Sequence, residues 1–332
     1  PFTYESGSVK HLKPGDIVIV PFGKAQEIGV VWDKIQPTSK KIKTRKIEKK
    51  IESISIDEKL VRYINWFSMY NLASKGLILK MSLINKKNIL DKKKKYLKEV
   101  KLKKKKYTLN KEQKSSLADL KKFGDKFNVS VLQGITGSGK TLVYFARIKE
   151  IINKKKQALV LLPEIFLTNQ FKDRFQEYFG FEPAIWHSGI TPKNKKEIWH
   201  GVISNNIKLI IGARSSLLLP FKELGIIIVD EEHDSSYKQS DRIIYNARDM
   251  AISRASYANI PIHLVTSVPS LETYNNIINK KYNLTKIINR FSEFPLPKTK
   301  IINLNTLKLK RNEYISSETI KLAQFYLKKK EQ

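Results

Sequence analysis

Residues 134–141 decide the fold of this chain, and they read Gly134-Ile135-Thr136-Gly137-Ser138-Gly139-Lys140-Thr141. The string fits the G-x-x-x-x-G-K-[ST] pattern of phosphate-binding loops without a deviation. An apolar run, 129–132, precedes it and a helical pattern follows it, as the motif requires. Backbone N–H groups of such a loop, together with the N-terminus of the next helix, bind phosphate groups. The sequence therefore predicts a nucleotide site between a strand and a helix.

Each position of this loop has an expected role in binding ATP. Lys140 is expected to reach the β- and γ-phosphates, and the hydroxyl of Thr141 is expected to hold Mg²⁺. The other loop residues expected to contact the nucleotide are Gly134, Thr136, Gly137, Ser138 and Gly139.

A second motif, Asp230-Glu231-Glu232-His233, follows directly after the apolar run 226–229. A carboxylate at the end of a buried strand can bind the Mg²⁺ shell, and its neighbour can polarise the attacking water. We therefore expect Asp230 to be a metal ligand and Glu231 to be the catalytic base.

Short apolar runs alternate with longer amphipathic stretches from Leu109 onward. The runs are 129–132, 158–162, 207–211, 226–229 and 262–265. Such alternation predicts βαβ units around a buried parallel sheet flanked by helices. Ahead of them, residues 16–32 resemble a small β unit and residues 57–73 a helix. The predicted class is α/β, with a small mainly-β domain before the nucleotide-binding lobe.

The charge balance is strongly basic: 63 Lys and Arg residues stand against 31 Asp and Glu, a formal net charge of +32. Lys and Arg displace counterions from phosphates, so a polyanionic partner is one interpretation. A composition rich in Lys, Ile and Asn is also typical of an AT-rich genome, and charge alone leaves both interpretations open.

The chain has no cysteine, which excludes disulfides and thiolate zinc sites within it. No apolar run approaches the roughly 18 residues of a membrane span, and we expect a cytoplasmic protein.

Several further strings resemble one known family. They are Pro163-Glu164-Ile165, His187-Ser188-Gly189, Gly212-Ala213-Arg214-Ser215, Asp230 to Gln239, Ala247-Arg248-Asp249 and Pro269-Ser270-Leu271-Glu272-Thr273. Together they resemble the bacterial replication-restart helicases of the PriA family (primosomal protein N′), in helicase superfamily 2, over nearly the whole chain. The resemblance implies a RecA-like P-loop NTPase lobe of a 3′-to-5′ DNA helicase that uses ATP and Mg²⁺. It also implies roles in restarting stalled forks and in primosome assembly, with single-stranded and forked DNA, primosome proteins and single-strand-binding proteins as partners at the nucleoid.

The resemblance also assigns roles to single residues of the motor. Gln113 is expected to recognise the adenine, because an amide can pair with both of its hydrogen-bonding edge atoms. The residues expected to contact DNA are Thr168, Arg214, Tyr237, Lys238 and Tyr245, since hydroxyls, Arg and stacking aromatic rings suit phosphates and bases. The segment Thr266-Ser267-Val268 corresponds to a Ser-Ala-Thr motif that couples the ATP state to lobe movement. Val268 replaces its last hydroxyl with a methyl group.

The first 85 residues resemble a domain that binds the 3′ end of a DNA strand. Phe2, Gly23 and Lys43 fall at positions that line its pocket, although Thr3 stands where relatives have Asp. We expect four parts: this domain at 1–85, a Lys-rich linker at 86–108, the first helicase lobe at 109–290 and a connector at 291–332. The linker leaves no room for the winged-helix domain of the family.

The second helicase lobe, which carries the arginine finger and the zinc module in the family, is expected beyond residue 332. The chain alone is therefore expected to bind ATP and DNA but to hydrolyse ATP negligibly. Two other interpretations stay open, a DNA-binding scaffold with a vestigial nucleotide site and an RNA helicase. Val268 and Ile243, which replaces a stacking Trp of the family, mildly favour the scaffold.

Overall fold

The computed structural model describes residues 2–32, 44–91, 108–163, 169–290, 299–304, 309 and 314–329. The chain divides into two compact units, Pro1–Phe291 and Ser292–Gln332. Among the described residues, no helix has both the length and the apolar character that crossing a membrane requires.

The first unit begins with a three-stranded antiparallel sheet and a separate pair of parallel strands. The strands are β1 (Tyr4–Glu5), β2 (Asp16–Phe22), β3 (Ala25–Val30), β4 (Arg45–Lys46) and β5 (Lys49–Ser55). β2 is central, between β3 and β5. Its Ile17 joins the main core, whereas Val18 and Val20 pack with Ile47 in a small separate cluster. This alternation follows from the period of two along a strand.

Three helices connect this β part to the rest of the unit: α1 (Glu58–Tyr70), α2 (Lys75–Ser82) and α3 (Lys86–Leu90). The side chain of Asp57 caps α1 by accepting a hydrogen bond from the N–H of Lys59, and the helix predicted there is confirmed. α3 occupies the first residues of the segment predicted to be a linker, and its Ile89 is buried. Residues 92–107 lie outside the described residues.

In the described residues of the rest of the unit there are nine strands, β6 to β14. They are β6 (Asn128–Gly134), β7 (Gln157–Leu161), β8 (Ala184–Trp186), β9 (Leu209–Gly212), β10 (Leu224–Asp230), β11 (Lys238–Gln239), β12 (Tyr245–Asn246), β13 (Pro261–Thr266) and β14 (Asn283–Ile287). Seven of them form a parallel sheet in the order β14-β6-β13-β10-β7-β9-β8, and β11 and β12 form an antiparallel hairpin. The predicted parallel α/β sheet is confirmed.

Helices cover both faces of this sheet. They are α4 (Lys111–Lys122), α5 (Lys140–Asn153), α6 (Asn169–Phe179), α7 (Pro192–Ile203), α8 (Ala247–Ala258) and α9 (Leu271–Ile278). Along β10, Ile227 and Val229 belong to the core that also holds residues of α1, α7 and α8, and Ile226 and Ile228 to the core that holds residues of α5 and α6. Apolar side chains on both faces explain why the strands read as unbroken apolar runs.

The N-terminal helices pack on the sheet-covering helices within this unit. α1 lies against α8, where the hydroxyl of Tyr63 donates to the carbonyl of Met250 over 3.0 Å. The guanidinium of Arg254 lies 5.3 Å from the centre of the Tyr63 ring, within the range of a cation–π contact. The indole N–H of Trp199 in α7 donates to the carbonyl of Ser82.

The second unit contains helix α10 (Ser317–Lys328), inside the segment predicted to be a connector. The side chain of Ser316 caps it by accepting a hydrogen bond from the N–H of Thr319 over 3.1 Å.

Candidate nucleotide-binding site

The phosphate loop joins the C-terminal end of β6 to the N-terminus of α5, as the motif predicts. Gly137 and Gly139 have φ values of 81° and 82°, in the left-handed region that glycine adopts without steric cost. A Cβ atom on Gly134 would lie 2.6 Å from Ser138 Oγ, so this position also requires glycine. The glycines of the motif are therefore needed for the shape of the loop itself.

The groups around this loop suit an anionic ligand. No side chain caps the N-terminus of α5, so the positive end of its dipole faces the loop. Lys140 Nζ donates to the carbonyl of Gly134 over 2.8 Å, which places the ammonium group inside the loop. Ser138 Oγ is buried and has no hydrogen-bond partner in the structure. A cation, a helix terminus and an unpaired hydroxyl in one loop fit the phosphates of a nucleotide.

Asp230 is held at the C-terminal end of β10. Its Oδ2 accepts a hydrogen bond from the hydroxyl of Tyr144 over 2.9 Å, and its Oδ1 accepts one from the N–H of Glu231 over 3.1 Å. The pKa of Asp230 is raised from 3.8 to about 6, first by burial and then by the neighbouring Glu231 carboxylate, although the hydrogen bonds from Tyr144 and Glu231 and the charge of Lys140 act to lower it. These groups therefore set how readily Asp230 ionises near neutral pH.

The sheet order brings the two predicted motifs to one edge. β13 lies between β6 and β10, and all three strands are parallel. Gly134 and Asp230 end their strands two interstrand spacings apart, which is about 10 Å. The end of β13, at Thr266, lies between them.

A short hydrogen-bonded chain links the acidic box to β13. His233 Nδ1 lies 2.8 Å from Thr266 Oγ1 and 3.8 Å from Glu231 Oε2. The Thr266 hydroxyl donates its single proton to the carbonyl of Val268 over 2.7 Å. The hydrogen bond between Thr266 and His233 must therefore be donated by the Nδ1–H of His233. Glu231 itself has a φ of 46°, a left-handed conformation that is uncommon outside glycine.

Glu232, the third residue of the box, has a structural role. It is 1% exposed and forms an ion pair with Arg248, Oε2 to Nη1 at 3.3 Å. Its carboxylate also accepts hydrogen bonds from the N–H and hydroxyl of Ser270 and from the hydroxyl of Thr273. Glu232 thus fixes the start of α9. The sequence motifs contain both Glu232 and Arg248, but this pairing and the role of Tyr144 were missed because they join distant segments.

Gln113 lies beside the phosphate loop. It is fully buried, its Nε2 donates to the carbonyl of Ser138 over 3.0 Å, and its Oε1 accepts from the N–H of Asn110. Each end of the amide thus makes one hydrogen bond within the protein. As placed, this side chain braces the phosphate loop, and its contact with adenine stays a prediction.

The predicted DNA-contacting residues divide into two groups. Arg214 Nη1 donates to the carbonyl of Lys238 over 2.9 Å, so these two residues lie side by side, and Lys238 is exposed. Tyr237 and Tyr245 are 1% and 5% exposed. The Tyr237 hydroxyl contacts the carbonyl of Asp230 and lies 3.0 Å from that of Leu161. In this structure both rings belong to the core, and the stacking of bases on them stays a prediction.

The remaining predicted positions differ in how far the structure describes and exposes them. Thr168 and Lys43 are outside the described residues. In the coupling segment Thr266 is fully buried, Ser267 is half-buried and Val268 is 67% exposed. Thr136 is exposed and Thr141 half-buried, as expected of residues that contact a ligand.

The N-terminal pocket residues lie at the surface. Phe2 is 73% exposed and meets Phe22 edge to face, with ring centres 5.2 Å apart. Gly23 has a φ of 61°, has open space where a Cβ would be, and its carbonyl accepts a hydrogen bond from Arg45.

Comparison with protein families gives two matches. The model of the res subunit of type III restriction enzymes matches residues 106–289, and that of the PriA 3′ DNA-binding domain (3′BD) matches residues 1–83. Among solved structures, the DUF1998 helicase MrfA has a TM-score of 0.42 and 17% identity over 83% of this chain and 37% of its own. A score this low adds nothing to the fold assignment.

Curated relatives share sequence along the chain. Replication restart protein PriA of Rickettsia conorii is 41% identical over 97% of this chain and 49% of its own length. The PriA protein of Haemophilus influenzae is 46% identical over 53% of this chain and 24% of its own. The chain thus spans about half the length of the Rickettsia relative. Because the res-subunit model matches more than half of the chain, the chain belongs to that family. The 3′BD match and the PriA relatives, which together cover nearly all of the chain, show that it corresponds to the N-terminal portion of the replication restart protein PriA.

Proposed function

We propose that the chain is the nucleotide-binding and DNA-contacting part of an ATP-dependent 3′-to-5′ DNA helicase that acts in restart of stalled forks. The observation that carries this proposal is the meeting of the phosphate loop and Asp230-Glu231 at one edge of a parallel sheet. That spacing leaves room for a triphosphate between a binding loop and a pair of carboxylates. A relative's role in replication restart supports the biological part of the proposal.

Each residue at this edge has a task in ATP hydrolysis. The N-terminus of α5 and Lys140 bind the β- and γ-phosphates. Thr141 and ionised Asp230 would hold Mg²⁺, which neutralises charge that develops on the phosphates. Glu231 orients the attacking water and takes its proton. Tyr144 stabilises the ionised form of Asp230 through its hydrogen bond.

Movement on DNA requires that the nucleotide state reaches the DNA-contacting surface. His233 Nδ1 lies 3.8 Å from Glu231 Oε2 and hydrogen-bonds Thr266 Oγ1, so the imidazole lies between the water-orienting residue and the coupling segment. Arg214 and Lys238 form a basic pair next to Tyr237, whose hydroxyl contacts the backbone of Asp230. We propose that DNA phosphates bind this basic pair and that the C-terminal end of β10 moves with the pair.

The first 85 residues are proposed to bind a DNA strand terminus, which the match to a 3′ DNA-binding domain supports. The exposed Phe2 offers a ring for a terminal base, and Gly23 allows a close approach of backbone. Primosome proteins and single-strand-binding proteins are proposed partners from the family membership, as is a cytoplasmic location at the nucleoid.

The nucleotide site is tested by Lys140→Ala, with Lys149→Ala on the same helix as the matched control. Binding of a fluorescent ATP analogue with Mg²⁺ should weaken at least about tenfold for Lys140→Ala, because one phosphate contact by a cation is worth about 1.5–3 kcal/mol. The control should bind normally. Equal affinity of both variants would refute the site.

The helicase is distinguished from a scaffold or an RNA enzyme by hydrolysis. In the protein that carries this chain in full, DNA-stimulated ATP hydrolysis should be lost in Glu231→Gln while nucleotide binding remains. Absence of hydrolysis in the unaltered protein would favour the scaffold. Stimulation by single-stranded RNA that exceeds stimulation by DNA would favour the RNA helicase.

A further inference from the structure

The two edges of the seven-stranded sheet differ in charge. In a parallel sheet, the segments that precede strands meet at one edge and those that follow strands meet at the other. The charged segments that precede strands, taken together with the last two residues of α4, are 121–127, 154–156, 180–183, 204–208, 222–223 and 279–282. They hold ten lysines and only three acidic residues. We call this surface the lysine edge.

The opposite edge, which carries the nucleotide site, is balanced. The described segments that follow strands are 135–139, 162–163, 187–191, 213–218, 231–246, 267–270 and 288–290. They hold four basic and four acidic residues. A basic composition that arose from genome bias alone would enrich both edges. The asymmetry therefore indicates that the position of these lysines matters.

The segments of the lysine edge adjoin one another. Lys208 Nζ donates to the carbonyl of Lys155 over 3.0 Å, and Asn205 Nδ2 donates to the same carbonyl over 3.2 Å. Lys154 forms an ion pair with Asp125 of the neighbouring segment. Lys155 has a left-handed φ of 60°, and these contacts hold its turn in place. These contacts join the segments 121–127, 154–156 and 204–208 into one basic surface.

The dimensions of this surface suit duplex DNA. Seven strands make six spacings of about 4.8 Å, so the edge is about 29 Å wide. A B-form duplex of that length carries about 17 phosphates on its two strands, and those on one side of the duplex can face the surface. Lysine ammonium groups are compact, hydrated charges that contact phosphates without reading bases. We propose that the lysine edge binds the backbone of double-stranded DNA, independently of sequence and on the side of the sheet opposite the nucleotide site.

This inference goes beyond the proposed function, because it assigns a second DNA contact that needs neither nucleotide nor strand terminus. The probe is a 24-base-pair DNA duplex closed covalently at both ends, which offers no 3′ end. The test variant is Lys122→Glu with Lys155→Glu and Lys222→Glu, three exposed positions of the lysine edge. The matched control is Lys75→Glu with Lys80→Glu and Lys87→Glu, exposed positions on or near α2 and α3. Both variants change the net charge by the same amount.

Affinity for the closed duplex is measured by fluorescence anisotropy over a range of salt concentrations. The lysine-edge variant should bind at least about tenfold more weakly near 100 mM salt, and its salt slope should fall by about 3, since each lost phosphate contact removes about 0.9. The control variant should lose less than about threefold. Equal losses in both variants would show that only total charge matters and would overturn the proposal. Neither variant should change the affinity for the ATP analogue, so failure here is distinct from failure of the nucleotide site.

Chemical acetylation of lysines gives a readout that does not depend on any variant. Bound duplex should protect Lys122, Lys155 and Lys222 in the unaltered protein but leave Lys75 and Lys80 reactive. Uniform protection, or none, would contradict the proposal. Vesicles with anionic lipids serve as the competing polyanion, and protection by vesicles without protection by duplex would assign the surface to a membrane instead.

Discussion

His263 makes folding stability depend on pH in a way that can be measured. It lies on β13 between Ile228 of β10 and Ser130 of β6, is fully buried, and neither ring nitrogen makes a well-formed hydrogen bond. Burial, together with the positive charge of Arg147, lowers the pKa of His263 from 6.5 to about 3. The ring is therefore neutral in the folded state at any pH well above 3. The perturbation we consider is His263→Leu, which replaces the imidazole with an apolar side chain of similar size.

The sign and size of the effect follow from the two pKa values. Since the folded pKa lies below the unfolded one, the unfolded state takes up a proton first. Stability is complete above about pH 6.5 and is lost as pH falls from 6.5 toward 3. The free energy of unfolding falls by about 1.4 kcal/mol per pH unit, so His263 should lower it by about 2 kcal/mol at pH 5 relative to pH 7.5.

Asp230 acts in the opposite direction in the same range. Its pKa is raised from 3.8 to about 6, so its contribution to stability is fully present below pH 3.8 and is lost as pH rises through 6. At pH 5 Asp230 offsets about 1.4 kcal/mol of the folding stability that is lost through His263. The unaltered protein should therefore show a shallow pH dependence between pH 4 and 6, and only the difference between variants isolates His263.

The assay is urea unfolding at pH 5.0 and pH 7.5, followed by tryptophan fluorescence. The stability of His263→Leu minus that of the unaltered protein should be about 2 kcal/mol larger at pH 5.0 than at pH 7.5. Ile262→Val, on the same strand and equally buried, carries no titratable group and should lose the same stability at both pH values. An equal difference at both pH values for His263→Leu would refute the reasoning.

Two further predictions concern the acidic box. Tyr144→Phe removes a hydrogen bond that lowers the pKa of Asp230, so the acidic limb of the pH–rate profile for ATP hydrolysis should move to higher pH; an unchanged limb would contradict this. Glu232→Gln breaks a buried ion pair with Arg248 and should cost about 3–5 kcal/mol in urea unfolding. Glu272→Gln removes a 71% exposed partner of the same Arg248 and should cost under about 1 kcal/mol. Equal costs would contradict the assigned roles.

Local sequence was sufficient for the parts of the molecule that depend on neighbours in the chain. The phosphate loop and the acidic box follow from short motifs, because a tight loop before a helix requires glycine at fixed positions. The parallel sheet follows from apolar runs, since strands buried on both faces must be apolar throughout.

The parts that could not be predicted depend on which segments meet. Whether Tyr237 and Tyr245 are buried depends on the packing of a loop against the sheet, and an aromatic ring in a loop suits either place. The amide of Gln113 is occupied because α4 begins beside the phosphate loop, a contact between residues 25 positions apart. Tyr144 meets Asp230 across 86 positions. Such pairs leave no mark in a single sequence.

The buried position of Glu232 has a consequence for any survey of tolerated substitutions. A carboxylate that anchors the start of α9 by three hydrogen bonds and pairs with Arg248 of α8 leaves no acceptable replacement, because Gln has one oxygen too few and Asp is one methylene too short. Positions Asp230, Glu231 and Glu232 would therefore appear equally intolerant, although only the first two are expected to touch the nucleotide. Intolerance at this box would therefore reflect two separate requirements in adjacent residues: the chemistry of the nucleotide site at Asp230 and Glu231, and the anchoring of α9 by Glu232.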